Sequence, residues 1–255
     1  MRHFLDLSDL SADVLNALLA EAARLKAALR GGDHAPLLPG RVLGLIFEKP
    51  SLRTRVSFEA GMAQLGGRSI FLSATDGPIG QRESVADFAR VLSEYVDVVA
   101  LRVFSHNTLE EFAAHSRIPV INALSDLAHP CQALGDLLTI QEVFGSVKGR
   151  TIVFVGDGNN VARSLALACG KLGARFVLSA PEGYRFDDAF LKTFRREAPL
   201  GSLTQEGDPS GAVAAADVIY TDVWTSMGQE AEREDRLRRF AGYQVNAALM
   251  AKAPK

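Results

Sequence analysis

The sequence predicts an α/β protein made of two doubly wound parallel-sheet domains joined by a long helix. Three observations carry that prediction. Short apolar runs alternate with amphipathic stretches along most of the chain, the pattern of strands and helices that builds a parallel sheet covered on both faces. The alternation restarts after Gly145, which divides the chain into domains at 1–145 and 146–255. A length of 255 residues is enough to bury two separate cores.

The elements follow in order. LSADVLNALLAEAARLKAAL is an amphipathic helix with Ser11 at its N-cap. RVLGLIFE (41–48) is a buried strand, and RTRVSFEAGMAQLGG a helix closed by Gly66 and Gly67. RSIFLS is a strand, SVADFARVLSEYV a helix, DVVALRV a strand, NTLEEFAAHS a helix and PVINAL a strand. CQALGDLLTIQEVFG is the long helix. The second series runs strand TIVFVGD, helix NVARSLALACGKLG, strand RFVLSAP, a helix near DDAFLKTFRREA and strand DVIYTDV.

Composition narrows the function. The hydrophobic fraction is 47%, the charged fraction 23% and the net charge −2, which argues against a nucleic-acid or membrane binder and makes any basic site a local one. Two cysteines, Cys131 and Cys169, show no paired spacing, the pattern of a reduced, cytoplasmic protein. The N-terminus lacks the apolar core of a signal peptide, and no apolar stretch approaches a membrane span. No metal-ligand cluster is visible and no cofactor is expected.

In open α/β sheets the ligand lies outside the carboxyl ends of the strands, so the loops after strands hold the chemistry. KPSLRTR (49–55) packs three basic side chains and two hydroxyls between a strand and a helix. Ser51 stands at the N-cap position, where backbone N–H groups and the positive helix end meet Arg53 and Thr54, an arrangement suited to phosphate. Arg55 is read as holding the loop through an internal salt bridge. Arg102 closes an apolar strand and must reach solvent, a carboxylate or a ligand; taken alone, solvent is the simpler answer. His129 and Gln132, in HPCQ, can donate to a carbonyl oxygen and pair with an amide, while a capping histidine beside a structural glutamine is the bland reading. Pro130 suits a first helical turn, and Cys131 packs as a small apolar residue. VGDGNNVARS lacks a G-x-G-x-x-G pattern, which makes NAD binding a poor fit, and Asn159 and Asn160 offer amides to a polar ligand. In TDVWTSMGQE, Asp222 can accept an ammonium group, and Ser226 and Gly228 mark a tight polar loop.

FEKPSLRTRVSFE, HPCQALGDLLT, VGDGNN and DVWTSMGQE together resemble the ornithine carbamoyltransferases, within the wider aspartate/ornithine carbamoyltransferase family. The resemblance runs through almost the whole chain in the family's order. It implies that Ser51, Leu52, Arg53 and Thr54 bind the phosphate of carbamoyl phosphate. Arg102 would bridge that phosphate and the carbonyl oxygen, His129 would donate to the same oxygen, and Gln132 would hold the carbamoyl amide, with Pro130 and Cys131 in the same binding segment. Thr54, Arg102, His129 and Gln132 form the implied catalytic set. Asn160, Asp222, Ser226 and Met227 would hold L-ornithine. The implied product is citrulline, made by a homotrimer or a multiple of trimers.

Two departures accompany the resemblance. Family members carry Gln or His where Pro78 stands, so a carbamoyl phosphate contact is lost or passes to Gln81 or Arg82. After YQVNAALMAKAPK the family continues with an H-C-L-P motif and a closing helix, so the acceptor half of the site is expected to be incomplete in this stretch. Other readings are a catalytically impaired carbamoyl phosphate-binding or assembly subunit, and a carbamoyltransferase for a different amine. A dinucleotide-binding reductase is the most distant.

Overall fold

The computed structural model describes residues 3–76, 78–225 and 230–254. The chain runs α1 (Ala12–Arg30), β1 (Val42–Phe47), α2 (Leu52–Gln64), β2 (Arg68–Ser73), α3 (Val85–Leu92), β3 (Val98–Arg102), α4 (His106–His115), β4 (Val120–Leu124) and α5 (Pro130–Phe144). It continues with β5 (Thr151–Val155), α6 (Asn160–Lys171), β6 (Arg175–Ser179), α7 (Asp188–Glu197), β7 (Ser202–Glu206), α8 (Pro209–Val213), β8 (Val218–Tyr220), α9 (Arg233–Arg239) and α10 (Ala247–Met250). Among the described residues no helix is long and apolar enough to cross a membrane.

The chain forms two compact units, one of Met1–Asp9 with Ala20–Cys131, the other of Leu10–Leu19 with Gln132–Lys255. Each is an all-parallel four-stranded sheet. In the first the strand order is β2-β1-β3-β4, and in the second it is β7-β6-β5-β8. Both orders reverse direction once, between β1 and β3 and between β5 and β8. Those are the switch points where the loops of neighbouring strands part and open a crevice.

Strands β1, β3 and β4 of the first sheet are buried on both faces, as their apolar runs require, while the edge strand β2 is half-exposed. Leu43, Leu45, Phe47 and Ala100 pack with Met62 of α2 on one face. Ile46, Val99 and Leu101 pack with Ala89 of α3 and with Leu109 and Phe112 of α4 on the other. In the second unit, Val153, Val155 and Val177 pack with α8 and Leu249 of α10, while Phe154 and Phe176 turn to the opposite face, where Phe176 meets Phe186.

Helix starts are explained by their caps. Ser11 Oγ accepts from Val14 N at 3.2 Å, as the sequence predicts, and Ser84 Oγ accepts from Asp87 N at 3.0 Å. Asn159 Oδ1 accepts from Val161 N and Ala162 N, both at 3.1 Å. Strand β7 and helices α8 to α10 are additions to the sequence reading. β7 (SLTQE) is a half-exposed sheet edge with little apolar content, so its pairing with β6, not its composition, makes it a strand.

Candidate active site

The loop after β1 and the end of β3 meet at the switch point of the first sheet. Phe47 pairs with Arg102 across β1 and β3, and Glu48 N donates to Arg102 O at 2.8 Å. Glu48 Oε2 then accepts from Phe104 N at 2.8 Å, tying the two loops together. Opposite β4 the register slips between Leu101 and Arg102, an irregularity of the kind that re-aims a side chain beside a site.

Ser51 has extended backbone, φ −161° and ψ 107°, and stands at the N-cap of α2 without making a side-chain cap bond. Its hydroxyl donates to Thr54 Oγ1 at 2.9 Å instead. The first turn of α2 therefore lacks the usual internal acceptor for its N–H groups, which leaves them to an external anion. Leu52 is 79% exposed, and Arg53 is exposed beside it. Arg55 does form an internal ion pair, but within α2 and not across the loop: Nε meets Glu59 Oε1 at 3.0 Å, and the guanidinium lies 3.8 Å from the Phe71 ring centroid. Lys49, unassigned from sequence, sits over the Phe104 ring at 4.4 Å. Burial, followed by the Arg102 charge, pulls its ammonium below the ordinary lysine range. Pro78 O accepts from Gln81 N at 3.3 Å in a turn, and Arg82 is exposed.

Arg102 is only 6% exposed. Its Nε is buried and has no hydrogen-bond partner among the described residues, and burial lowers its pKa. The solvent answer suggested by the isolated sequence position is thereby overturned, and no carboxylate ion pair replaces it among the described residues. A desolvated guanidinium facing no anion of its own is suited to an anionic ligand. His129 precedes α5 and lies within electrostatic reach of Arg102; burial first and that charge second bring its pKa down to about 4. The imidazole is neutral near pH 7 and offers one N–H as a donor.

Pro130 and Cys131 form the start of α5. Burial pushes the Cys131 thiol up to about 12, and Sγ donates to Asn122 O at 3.4 Å, so it packs and does not react. Beneath this loop Asn122 Nδ2 donates to Leu5 O at 2.9 Å, and Ser125 Oγ lies 2.7 Å from His106 Nδ1.

The second unit holds a different set. Gln132 Nε2 donates to Asp136 Oδ1 at 2.9 Å, one helical turn on. Both lie within electrostatic reach of Tyr220 at the end of β8. Burial raises the Asp136 carboxyl, opposed by bonds from Gln132 and Tyr220 and reinforced by the Asp222 charge. Burial raises the Tyr220 phenol above its ordinary range. Asn160 starts α6, and its Oδ1 accepts from Val161 N at 3.0 Å. Asp222 follows β8, half-buried. Behind these loops Arg236 bonds Asp157 Oδ2 at 2.7 Å, Glu232 Oε2 at 2.9 Å and Trp224 O at 3.0 Å. Trp224 stacks on Phe240 at 5.9 Å, an ordinary packing role. Ser226 and Met227 lie outside the described residues.

Sequence reasoning passed over Asp136 and Tyr220. The i, i+4 spacing from Gln132 could have flagged Asp136; no local signal marks Tyr220, which arrives through the β5–β8 pairing.

The family model "Aspartate/ornithine carbamoyltransferase, carbamoyl-P binding domain" matches residues 2–142, and the "Asp/Orn binding domain" of the same family matches residues 148–255. An ornithine carbamoyltransferase of Bacillus subtilis is 52% identical over 255 residues, covering 99% of this chain and 78% of the relative. An anabolic ornithine carbamoyltransferase of Pyrococcus furiosus is 48% identical over 254 residues, covering 99% and 81%. Among solved structures, the ornithine carbamoyltransferase of Pyrococcus furiosus matches with a TM-score of 0.96 at 48% identity over 99% of this chain and 82% of that one. That of Thermus thermophilus matches with a TM-score of 0.87 at 43% identity, over 98% and 81%.

Proposed function

The chain belongs to the aspartate/ornithine carbamoyltransferase family, and from that premise we propose that it moves the carbamoyl group of carbamoyl phosphate to the δ-amine of L-ornithine. The products are L-citrulline and phosphate. Residues 1–145 form the carbamoyl phosphate-binding domain and residues 146–255 the ornithine-binding domain.

The observation that carries this reading is Arg102, buried with an unpartnered Nε at the same switch point as the uncapped start of α2. Ser51, Leu52, Arg53 and Thr54 hold the phosphate, with Pro130 and Cys131 in the adjoining segment. The neutral δ-amine attacks the carbamoyl carbon, and negative charge develops on the carbonyl oxygen of the tetrahedral intermediate. Thr54, Arg102 and His129 stabilise that oxygen as preorganised donors, each typically worth ~3–4 kcal/mol. Gln132 holds the carbamoyl amide. The C–O bond to phosphate then breaks, phosphate leaves as the anion that Arg53 and the α2 amides hold, and the attacking nitrogen gives up its proton. Asn160, Asp222, Ser226 and Met227 bind ornithine.

The rate rises with pH as the ornithine δ-ammonium, with a pKa of about 10, loses its proton. His129, already neutral above its pKa of about 4, adds no limb near pH 7. Incorporation of label from carbamoyl phosphate into citrulline tests the proposal. Turnover with L-ornithine is expected; retained carbamoyl phosphate binding without citrulline would overturn it.

The working form is a cytoplasmic homotrimer serving arginine biosynthesis. Leu52 and Val56 on α2 and Ile70 on the edge strand β2 are large apolar side chains left exposed, which supports association through this side of the first unit.

A further inference from the structure

Gln132 presents a chemical ambiguity that its own amide cannot resolve. A carboxamide carries a donor face and an acceptor face of nearly equal size, and either could be turned toward a ligand. Carbamoyl phosphate needs one of them: its –NH2 group must meet an acceptor. Asp136 removes the ambiguity. Its carboxylate can only accept, and Gln132 Nε2 donates to Asp136 Oδ1 at 2.9 Å. Tyr220 lies close enough to influence both groups electrostatically. One N–H of Gln132 is thus held by Asp136, which fixes the amide with its –NH2 end toward the protein and leaves Oε1 as the group's acceptor.

We infer that Asp136 is the positioning residue that makes Gln132 an acceptor, and so makes the site selective for a carbamoyl over an acetyl group. The inference rests on the carbamoyl phosphate reading above. Acetyl phosphate has the same phosphate and nearly the same shape, with –CH3 in place of –NH2. A methyl group leaves Oε1 desolvated and unpaired, and that mismatch is the basis of discrimination. The geometry is local to one helical turn of α5 and the end of β8, so it acts on the identity of the acyl substituent and not on the phosphate.

The test is calorimetric titration of the full chain with carbamoyl phosphate and with acetyl phosphate. Asp136→Asn presents an amide to Gln132 and lets it turn either way. The carbamoyl-to-acetyl affinity ratio is expected to fall roughly 3- to 10-fold, the effect of losing one oriented hydrogen bond, with acetyl phosphate affinity unchanged within about twofold. Asp136→Glu, which keeps a carboxylate, is expected to retain part of the ratio. In a Gln132→Met background, Asp136→Asn is expected to shift the ratio no further, because Asp136 acts through that amide. Should Asp136→Asn fail to fold, Asp136→Ser carries the same measurement. A parallel loss of both ligands would make Asp136 merely structural, and an unchanged ratio would also overturn the inference. If the unsubstituted protein binds neither ligand, the phosphate-site reading itself falls, and this inference with it.

Discussion

Arg102 lies in the interior of its unit with an unpartnered Nε, and a charge so placed works against folding. Arg102→Met removes it and is expected to leave the melting temperature unchanged or higher, while citrulline formation falls about 10²- to 10³-fold. Calorimetry and a turnover assay check the pair; a fall of several degrees would mean that Arg102 is a structural residue. His129 shows the converse effect of burial. Its folded pKa of about 4 lies below the ordinary histidine value of 6.5, so the unfolded chain binds more protons between those values. Stability is therefore lost as pH falls from about 6.5 toward 4, by up to roughly 3 kcal/mol from this group. Compared with wild type, His129→Gln is expected to lose less melting temperature over that interval. Parallel curves would sink the argument. The residue types at both positions were legible in the sequence. Their protonation and partners were not, because those depend on groups brought in from other strands.

The helices differ in what caps them, and the difference separates a capping serine from one whose side chain is engaged elsewhere. Ser84 caps α3 through Asp87 N, and Ser84→Ala is expected to cost about 1 kcal/mol. Ser51 occupies the same position on α2 without a cap bond. Ser51→Ala is therefore expected to change stability by a few tenths of a kcal/mol at most, while weakening carbamoyl phosphate binding at least several-fold. Chemical denaturation and calorimetric titration read the two effects, and a destabilisation equal to that of Ser84→Ala would restore the ordinary capping role. Both serines look alike as helix-start signals. Only the Ser51–Thr54 bond shows that one side chain is engaged elsewhere. Strands such as VLGLIF and helices such as α6 announced themselves because a buried face must be apolar at the period of its element. The edge strand β7 did not, since it buries too little to be constrained.

Across the whole molecule the two sheets repeat one logic: a single reversal of strand order and chemical groups on the loops beside it. The exposed apolar residues on α2 and β2 lead to an expected trimer mass in light scattering, and a strictly monomeric species would count against the assembly proposed here. The amino-acid sequence by itself determined the parallel α/β class, the restart after Gly145 and the loops to which the proposal assigns the phosphate. It could do so because burial and helix-start geometry impose patterns on neighbouring residues. The tertiary structure alone decided which partners those loops meet. Arg102 was enclosed by the packing of its unit, and the β5–β8 pairing brought Tyr220 near Gln132 and Asp136 from a distant part of the chain. Desolvation and hydrogen-bond direction are set by distance in space, which no local stretch of sequence encodes.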